Sequence, residues 1–400
     1  MTSSTRRYDL DWLRIIAFGL LILYHTGMFY VTWGWHVKSD HASHAIEPLM
    51  RLLNPWRLDL LFFISGVAIR FMAEKTSAWQ LGISRFNRLF WPIVFGMAVI
   101  VAPQSFYQVR EQYGFTGTYL EFYGKYLSHY KGWCDANGCL AVPTWNHLWY
   151  VVYLLAYSLI FACLWPLLRR IPMGWAKRLP AWVYIAIPFA WYCFGDYVLD
   201  PMFPQTHAFV GDWYVHYASA GFFAMGVLVA RFDRFFEIAR KLRHASLIVG
   251  IGSYLALELL RQLWAAGQIT PLTGELIGNP IETAQAIFFM LALIGYARQH
   301  LANADGAWRR TLTEAIFPFY IMHQTIIVVA AYNLNRLHMP VALEATILIA
   351  LTALGCWLTY VVVRRVQVLR PFFGMAWKTA TSPARSVVLR ESEKDLQSEI

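Results

Sequence analysis

Ten apolar runs recur along this chain, at 12–31, 57–74, 89–107, 147–168, 181–199, 213–230, 245–264, 281–298, 315–333 and 341–363. A run of roughly 20 apolar residues rises about 30 Å as a helix, enough to cross the hydrocarbon core of a bilayer. Lipid offers no water to backbone N–H and C=O groups, so such runs must bond internally as helices. The predicted fold class is therefore all-α: a polytopic membrane protein with about ten transmembrane helices, 57–74 and 213–230 being the shortest. Only 14% of the 400 residues are charged, against about 25% in a soluble domain. Many of the 18 tryptophans fall near run ends, where interfacial belts form. The N-terminus is short and polar ahead of a run long enough to span, so no cleavable signal is expected. No polar stretch is long enough for a soluble domain. The expected organisation is one integral-membrane domain over 1–378 and a polar, disordered cytoplasmic tail over 379–400.

The net charge of +10 would suit nucleic acid if it lay on one face. It does not. Basic residues crowd alternate connecting segments, including Arg6, Arg7, Arg70, Arg85, Arg88, Arg169, Arg170, Arg309 and Arg310. The other segments hold only Lys38, Arg51, Arg110, Lys125, Lys131 and Arg336. The positive-inside rule then puts both termini in the cytoplasm. The basic excess is topology, and no nucleic-acid partner is implied.

Cys163, Cys193 and Cys356 fall in spans and read as packing residues. Cys134 and Cys139 lie in the longest outer segment, Pro103 to Asn146, which is placed to cover the membrane mouth and shape an acceptor site. In an oxidising compartment that pair can form a disulfide, and the spacing alone leaves this open. It supplies too few ligands for a metal site. Glu258 and Arg261 share a face of one span and read as a structural pair.

The chemistry is sought where lipid makes polar groups costly. His25 lies deep in the first run, eleven residues after Arg14. Eleven steps of about 100° return nearly to the starting face, so the two share one stripe, roughly 16 Å apart along the axis. A neutral imidazole can take a proton from a hydroxyl or carry an acyl group. Arg85 and Arg88 lie three apart in Ser84-Arg85-Phe86-Asn87-Arg88-Leu89. Paired guanidinium forks suit phosphates, although the positive-inside rule already predicts arginines there. Asp59, His147, His216, Glu282 with Gln285, and His323 lie toward the outer halves of spans. Each alone suits a helix–helix hydrogen bond. Together they suggest a polar chamber at the depth of His25. No Walker loop, HExxH or GxSxG pattern is present.

Several segments together resemble the acyltransferase 3 family of membrane proteins. They are the Arg14/His25 spacing, Phe62-Phe63-Ile64-Ser65-Gly66, Arg85-Phe86-Asn87-Arg88-Leu89 followed by Pro92, His147-Leu148-Trp149-Tyr150, and Tyr320-Ile321-Met322-His323. The resemblance runs to about residue 373, and only the combination is specific. Trp35-His36-Val37-Lys38-Ser39 and the histidine of the ninth span resemble the glucan biosynthesis protein C branch. Its members are implied to succinylate periplasmic glucans at the bacterial inner membrane. The chain departs from that branch at Asp59, where members often carry an uncharged residue.

The resemblance implies ten spans, no tightly bound cofactor, and an acyl-CoA donor taken from the cytoplasm for transfer to a sugar hydroxyl outside. By that analogy His25 is the catalytic histidine, Arg14 steadies the donor, and Arg85 with Arg88 hold its nucleotide end. The leading expectation is O-acyl transfer, with succinyl-CoA as donor and a periplasmic glucan as acceptor. O-acetylation of exopolysaccharide or lipopolysaccharide would use the same donor path. A secondary transporter or glycan exporter also fits ten spans with buried polar groups. However, no pair of Gly/Pro-broken spans in matching halves is evident.

Overall fold

The computed structural model describes residues 6–135, 138–172 and 178–377; the polar tail expected over 379–400 lies outside them. The chain is 75% helical with almost no sheet. Among the described residues, eight helical segments are long and apolar enough to cross a membrane, and the chain is a multi-pass membrane protein. Two further apolar segments, Val183–Leu199 and Trp213–Val229, are shorter. They correspond to the fifth and sixth runs. The second run, expected to be among the shortest, instead lies within a continuous helical segment, His44–Ala73.

In chain order the helices are α1 (Tyr8–Met28), α2 (Glu47–Ala73), α3 (Ala78–Phe95), α4 (Ala102–Gln112), α5 (Tyr119–Leu127), α6 (Trp149–Leu168), α7 (Val183–Phe194), α8 (Trp213–Val229), α9 (Asp233–Ala265), α10 (Pro271–His300), α11 (Ala307–Asn335) and α12 (Val341–Arg365). Side chains set several of their starts. Ser77 and Gln80 form a reciprocal cap at α3, and Thr118 with Glu121 does the same at α5. Pro92 lacks the N–H a helix interior needs. Shortly after it the backbone relaxes into a π-helical turn, Gly96–Ile100, so α3 and α4 run on as one segment, Ala78–Gln112. The outer segment that sequence alone starts at Pro103 therefore begins inside a helix. Its disulfide, Cys134–Cys139, staples a two-stranded antiparallel ladder, β1 (Cys134–Asp135) with β2 (Gly138–Cys139).

Helix packing in lipid depends on close backbone approach rather than on a hydrophobic drive. The crossing of α2 and α8 illustrates this. A methyl group added at Gly66 would collide with the Phe223 carbonyl oxygen, and one at Gly226 with that of Phe63. The glycine of Phe62-Phe63-Ile64-Ser65-Gly66 is thus a contact surface. Gly295 of α10 meets the Ala239 carbonyl of α9 in the same way. Ion pairs secure other seams. Arg51 of α2 grips Glu258 of α9 with two bonds of 2.7 and 2.8 Å. Arg261 stands 3.9 Å from the same carboxylate, so the principal partner of Glu258 is Arg51, not the residue one turn away.

The crossing of α2 and α8 predicts that Gly66→Ala and Gly226→Ala each destabilise the protein by about 1–3 kcal/mol, the usual cost of overpacking. Gly19→Ala, where nothing lies within 4 Å, should be neutral. Thermal unfolding in detergent compares the three; equal melting temperatures would refute the close-packing reading.

Candidate active site

Two helices carry the centre of the site. The α1 stripe Asp11, Arg14, Phe18, Leu21, His25 and the α11 stripe Arg309, Thr313, Ile316, Tyr320, His323 follow the same helical spacing. Near one end Arg309 bonds Asp11 at 2.6 Å. Further along, His25 Nδ1 meets His323 Nε2 at 2.8 Å. The sequence separation is 298 at both contacts, so the helices run parallel and advance in step. Arg309 is almost fully buried and also bonds Asp305 at 2.8 Å. Its two carboxylates neutralise it, as a buried cation requires.

Hydrogen-bond partners assign the ring protons. His323 Nδ1 lies 2.6 Å from the Tyr320 carbonyl oxygen, which can only accept. Nδ1 therefore carries the proton, and in a neutral ring Nε2 is the acceptor. His25 must then donate from Nδ1. Its own Nε2 is left with a free lone pair and makes no hydrogen bond to the protein among the described residues. His147 is held differently. Its Nε2 donates to the Ile321 carbonyl at 3.0 Å, and Nδ1 accepts from Gln104 at 3.4 Å. Both nitrogens are occupied.

The residues Trp35 to Ser39 hold this arrangement from one end. His36 Nδ1 donates to Gln108 at 2.7 Å and its Nε2 accepts from Gln324 at 2.9 Å. Burial keeps the His36 ring below the usual imidazole range, consistent with that neutral form. Gln324 also donates to Gln104 at 3.1 Å, joining the network that orients His147. The Lys38 ammonium donates to the carbonyls of Met28 and Val31, at 2.7 and 2.6 Å. It thereby satisfies backbone oxygens where α1 ends, one turn past His25. Burial draws that ammonium down to about 8, with Glu47 and Glu111 opposing.

A cavity of about 940 Å³ extends from His25 to the loops at the disulfide end. Of the residues expected around a polar chamber, Asp59, His147 and Glu282 line it. Two do not. His323 is fully buried behind His25. His216 bonds the Phe209 carbonyl at 2.7 Å and the Tyr157 hydroxyl at 3.0 Å. It holds the loop that ends at Asp212, whose carboxylate accepts from the Thr206 and His207 N–H groups. Lining residues missed from sequence include Arg57, Tyr192, Asp196 and Tyr214. Arg57 opens the second apolar run, and an arginine at that position was itself a signal; its guanidinium covers the Tyr24 ring at 3.4 Å. Asp196 accepts from Tyr214 and Thr283 at 2.7 and 3.0 Å, a partnership across three elements that no local pattern announces.

Arg14, Arg85 and Arg88 do not line this cavity. They gather beyond its floor, within electrostatic range of one another. The Nε atoms of Arg14 and Arg85 are buried without a hydrogen-bond partner, as is the Thr313 hydroxyl. Arg14 reaches Asp11 only at 3.7 Å, and Asp11 already serves Arg6 and Arg309. Arg85 and Arg88 make no ion pair among the described residues. Arg14 and Arg85 are half-buried and Arg88 is exposed; guanidinium groups gathered with so little counter-charge suit an anion. Among the described residues no His, Cys, Asp and Glu side chains converge to hold a metal ion.

An imidazole fixed with its lone pair toward a polar cavity is equipped to deprotonate a hydroxyl or to receive an acyl group. In a multi-pass helical body, that equipment suits a membrane acyltransferase. The family described as an acyltransferase domain matches residues 7–361, and the chain belongs to it. No curated protein and no solved structure matches.

The contact of His323 with His25, behind the cavity wall, predicts a positioning role. His323→Ala should lower kcat for acyl transfer about 100-fold with little change in KM, and His323→Gln, which keeps an acceptor, should restore part of it. Equal kcat in wild type and His323→Ala would exclude this role.

Proposed function

We propose that the protein transfers an acyl group from a cytoplasmic acyl-CoA, succinyl-CoA in the first instance, to a sugar hydroxyl of a periplasmic glucan. The observation that carries this reading is the pairing of His25 and His323, which leaves His25 Nε2 free at the cavity. The acceptor hydroxyl gives its proton to that nitrogen while its oxygen attacks the thioester carbonyl. The tetrahedral intermediate then collapses, the C–S bond breaks, and the CoA thiolate takes the proton from His25. The products are a sugar ester and free CoA. Charge on the His25 imidazolium is shared with His323, whose Nε2 accepts the Nδ1 proton's hydrogen bond.

The partnerless nitrogens of Arg14 and Arg85, with Arg88 beside them, support a site for the donor's phosphates. The orientation proposed has the arginine end and both termini in the cytoplasm, by the positive-inside rule. A disulfide at the opposite end suits an oxidising periplasm. The cavity's Asp59, Asp196 and Glu282 offer acceptors for sugar hydroxyls, and Trp145 and Trp149 offer faces for sugar rings.

The test uses purified protein in liposomes, with labelled acyl-CoA on the arginine side and neutral glucan on the other. Mass spectrometry should find succinyl ester on the glucan. Acetyl ester instead would favour the acetylating alternative, and glycan flux without any ester would favour a transporter. His25→Ala should lower transfer by about 10²–10⁴-fold while the protein still inserts. Arg85→Ala and Arg88→Ala should each raise the donor KM about tenfold, the loss of one charge-assisted contact. Unchanged donor KM in both would remove the phosphate clamp.

A further inference from the structure

The arginine cluster and the histidine cavity lie on opposite sides of one layer of side chains. Three rings form its centre: Phe18 of α1, Tyr150 of α6 and Tyr320 of α11. Their centroids are 5.3 Å apart for Phe18 and Tyr320, 6.2 Å for Phe18 and Tyr150, and 6.0 Å for Tyr150 and Tyr320. Each is at most 4% exposed. Rings at these separations touch edge to face and leave no opening between them.

The layer faces both ways. Phe18 is one turn from Arg14 and two turns from His25 on the same stripe. Tyr150 and Tyr320 line the cavity. The Tyr150 hydroxyl also lies within electrostatic range of the Arg14 guanidinium. The three rings differ in how they are held. The Tyr150 hydroxyl is 2.8 Å from Ser65 Oγ and 3.3 Å from the Leu61 carbonyl oxygen. The Tyr320 hydroxyl donates to the His147 carbonyl. Phe18 has no polar tether, so it alone can swing without breaking a hydrogen bond.

A permanently open path here would leak small solutes across the bilayer. A permanently closed one would separate any anion held at the arginines from His25. We propose that Phe18 is the moving leaf of a three-ring constriction through which the thioester arm of the donor reaches His25, and that its bulk sets which acyl groups pass. This rests on the donor entering from the arginine side. The arm that threads the rings must be thin, because the three rings touch edge to face. The phosphates stay behind with the arginines.

Phe18→Ala, Phe18→Leu and Phe18→Trp, purified and checked for monodispersity, are compared with wild type in liposomes by two measurements. The first is acyl transfer from acetyl-, succinyl- and octanoyl-CoA. Phe18→Trp should lower kcat roughly tenfold with donor KM unchanged, because the arginines are untouched. Phe18→Ala should extend transfer to the octanoyl donor. Phe18→Leu keeps most of the buried volume, guards against a folding defect, and should fall between. The second measurement is permeability to a small neutral solute such as glycerol, which needs no donor. It should rise in Phe18→Ala and not in Phe18→Trp. If wild type transfers no acyl group yet Phe18→Ala leaks, the constriction stands and the donor reading falls. If all four proteins share one acyl-length profile, one kcat and one permeability, the constriction is overturned.

Discussion

The parallel pairing of α1 with α11 is the constraint on which the rest of this molecule depends. It is set at one end by a buried ion pair, Asp11 with Arg309, and further along by the contact of His25 with His323. Neither contact is cheap to form in a low-dielectric interior, and each is misaligned by a slip of one residue. Together they fix the helices in rotation and in height. Everything else in the site is hung on that frame. Tyr320 packs against Phe18, the Tyr320 carbonyl sets the His323 tautomer, and Gln324 reaches His36.

The frame also divides charge. On one side of the Phe18, Tyr150 and Tyr320 layer the arginines gather with little counter-charge. On the other, carboxylates, amides and imidazoles surround a cavity in which Arg57 is the arginine present. Mixing the two groups would let the arginines pair with the carboxylates and leave no cation free for an anionic ligand. One layer of apolar rings is enough to prevent this, because Coulomb attraction across it still demands desolvation of both partners. The separation suits the proposed reading, in which an anionic donor and a polyhydroxyl acceptor are held on opposite sides of the layer.

Much of the architecture was legible in the chain, for a physical reason. Helices in lipid are decided locally, by run length and the internal pairing of backbone groups, so the apolar runs of α1, α2, α6, α9, α10, α11 and α12 could be read directly. Limits arose where a helix outran its apolar stretch. The helical segment from Ala78 continues past Pro103 through a π-helical turn, and the helix bearing Asp59 starts well before its run. The stripe of Arg14 and His25 was legible too, because helical spacing is arithmetic. The role of His216 was not: whether a histidine meets a cavity or a carbonyl depends on the loop folded over it. Glu258 was assigned to its neighbour on the same helix, but a helix from elsewhere in the chain offered better geometry.

What the sequence determined by itself is a multi-pass helical protein, the face of each helix that is costly to expose, and the residue types able to do acyl chemistry. These follow from composition and periodicity, which act over a few turns. Only the tertiary structure decided which of those residues meet. His25 and His323 are 298 residues apart, and nothing within either segment encodes their contact or the tautomer it imposes. Register between helices, the closure of the three-ring layer and the free lone pair of His25 arise from packing across the whole chain. Such contacts are chosen by mutual fit rather than by local preference.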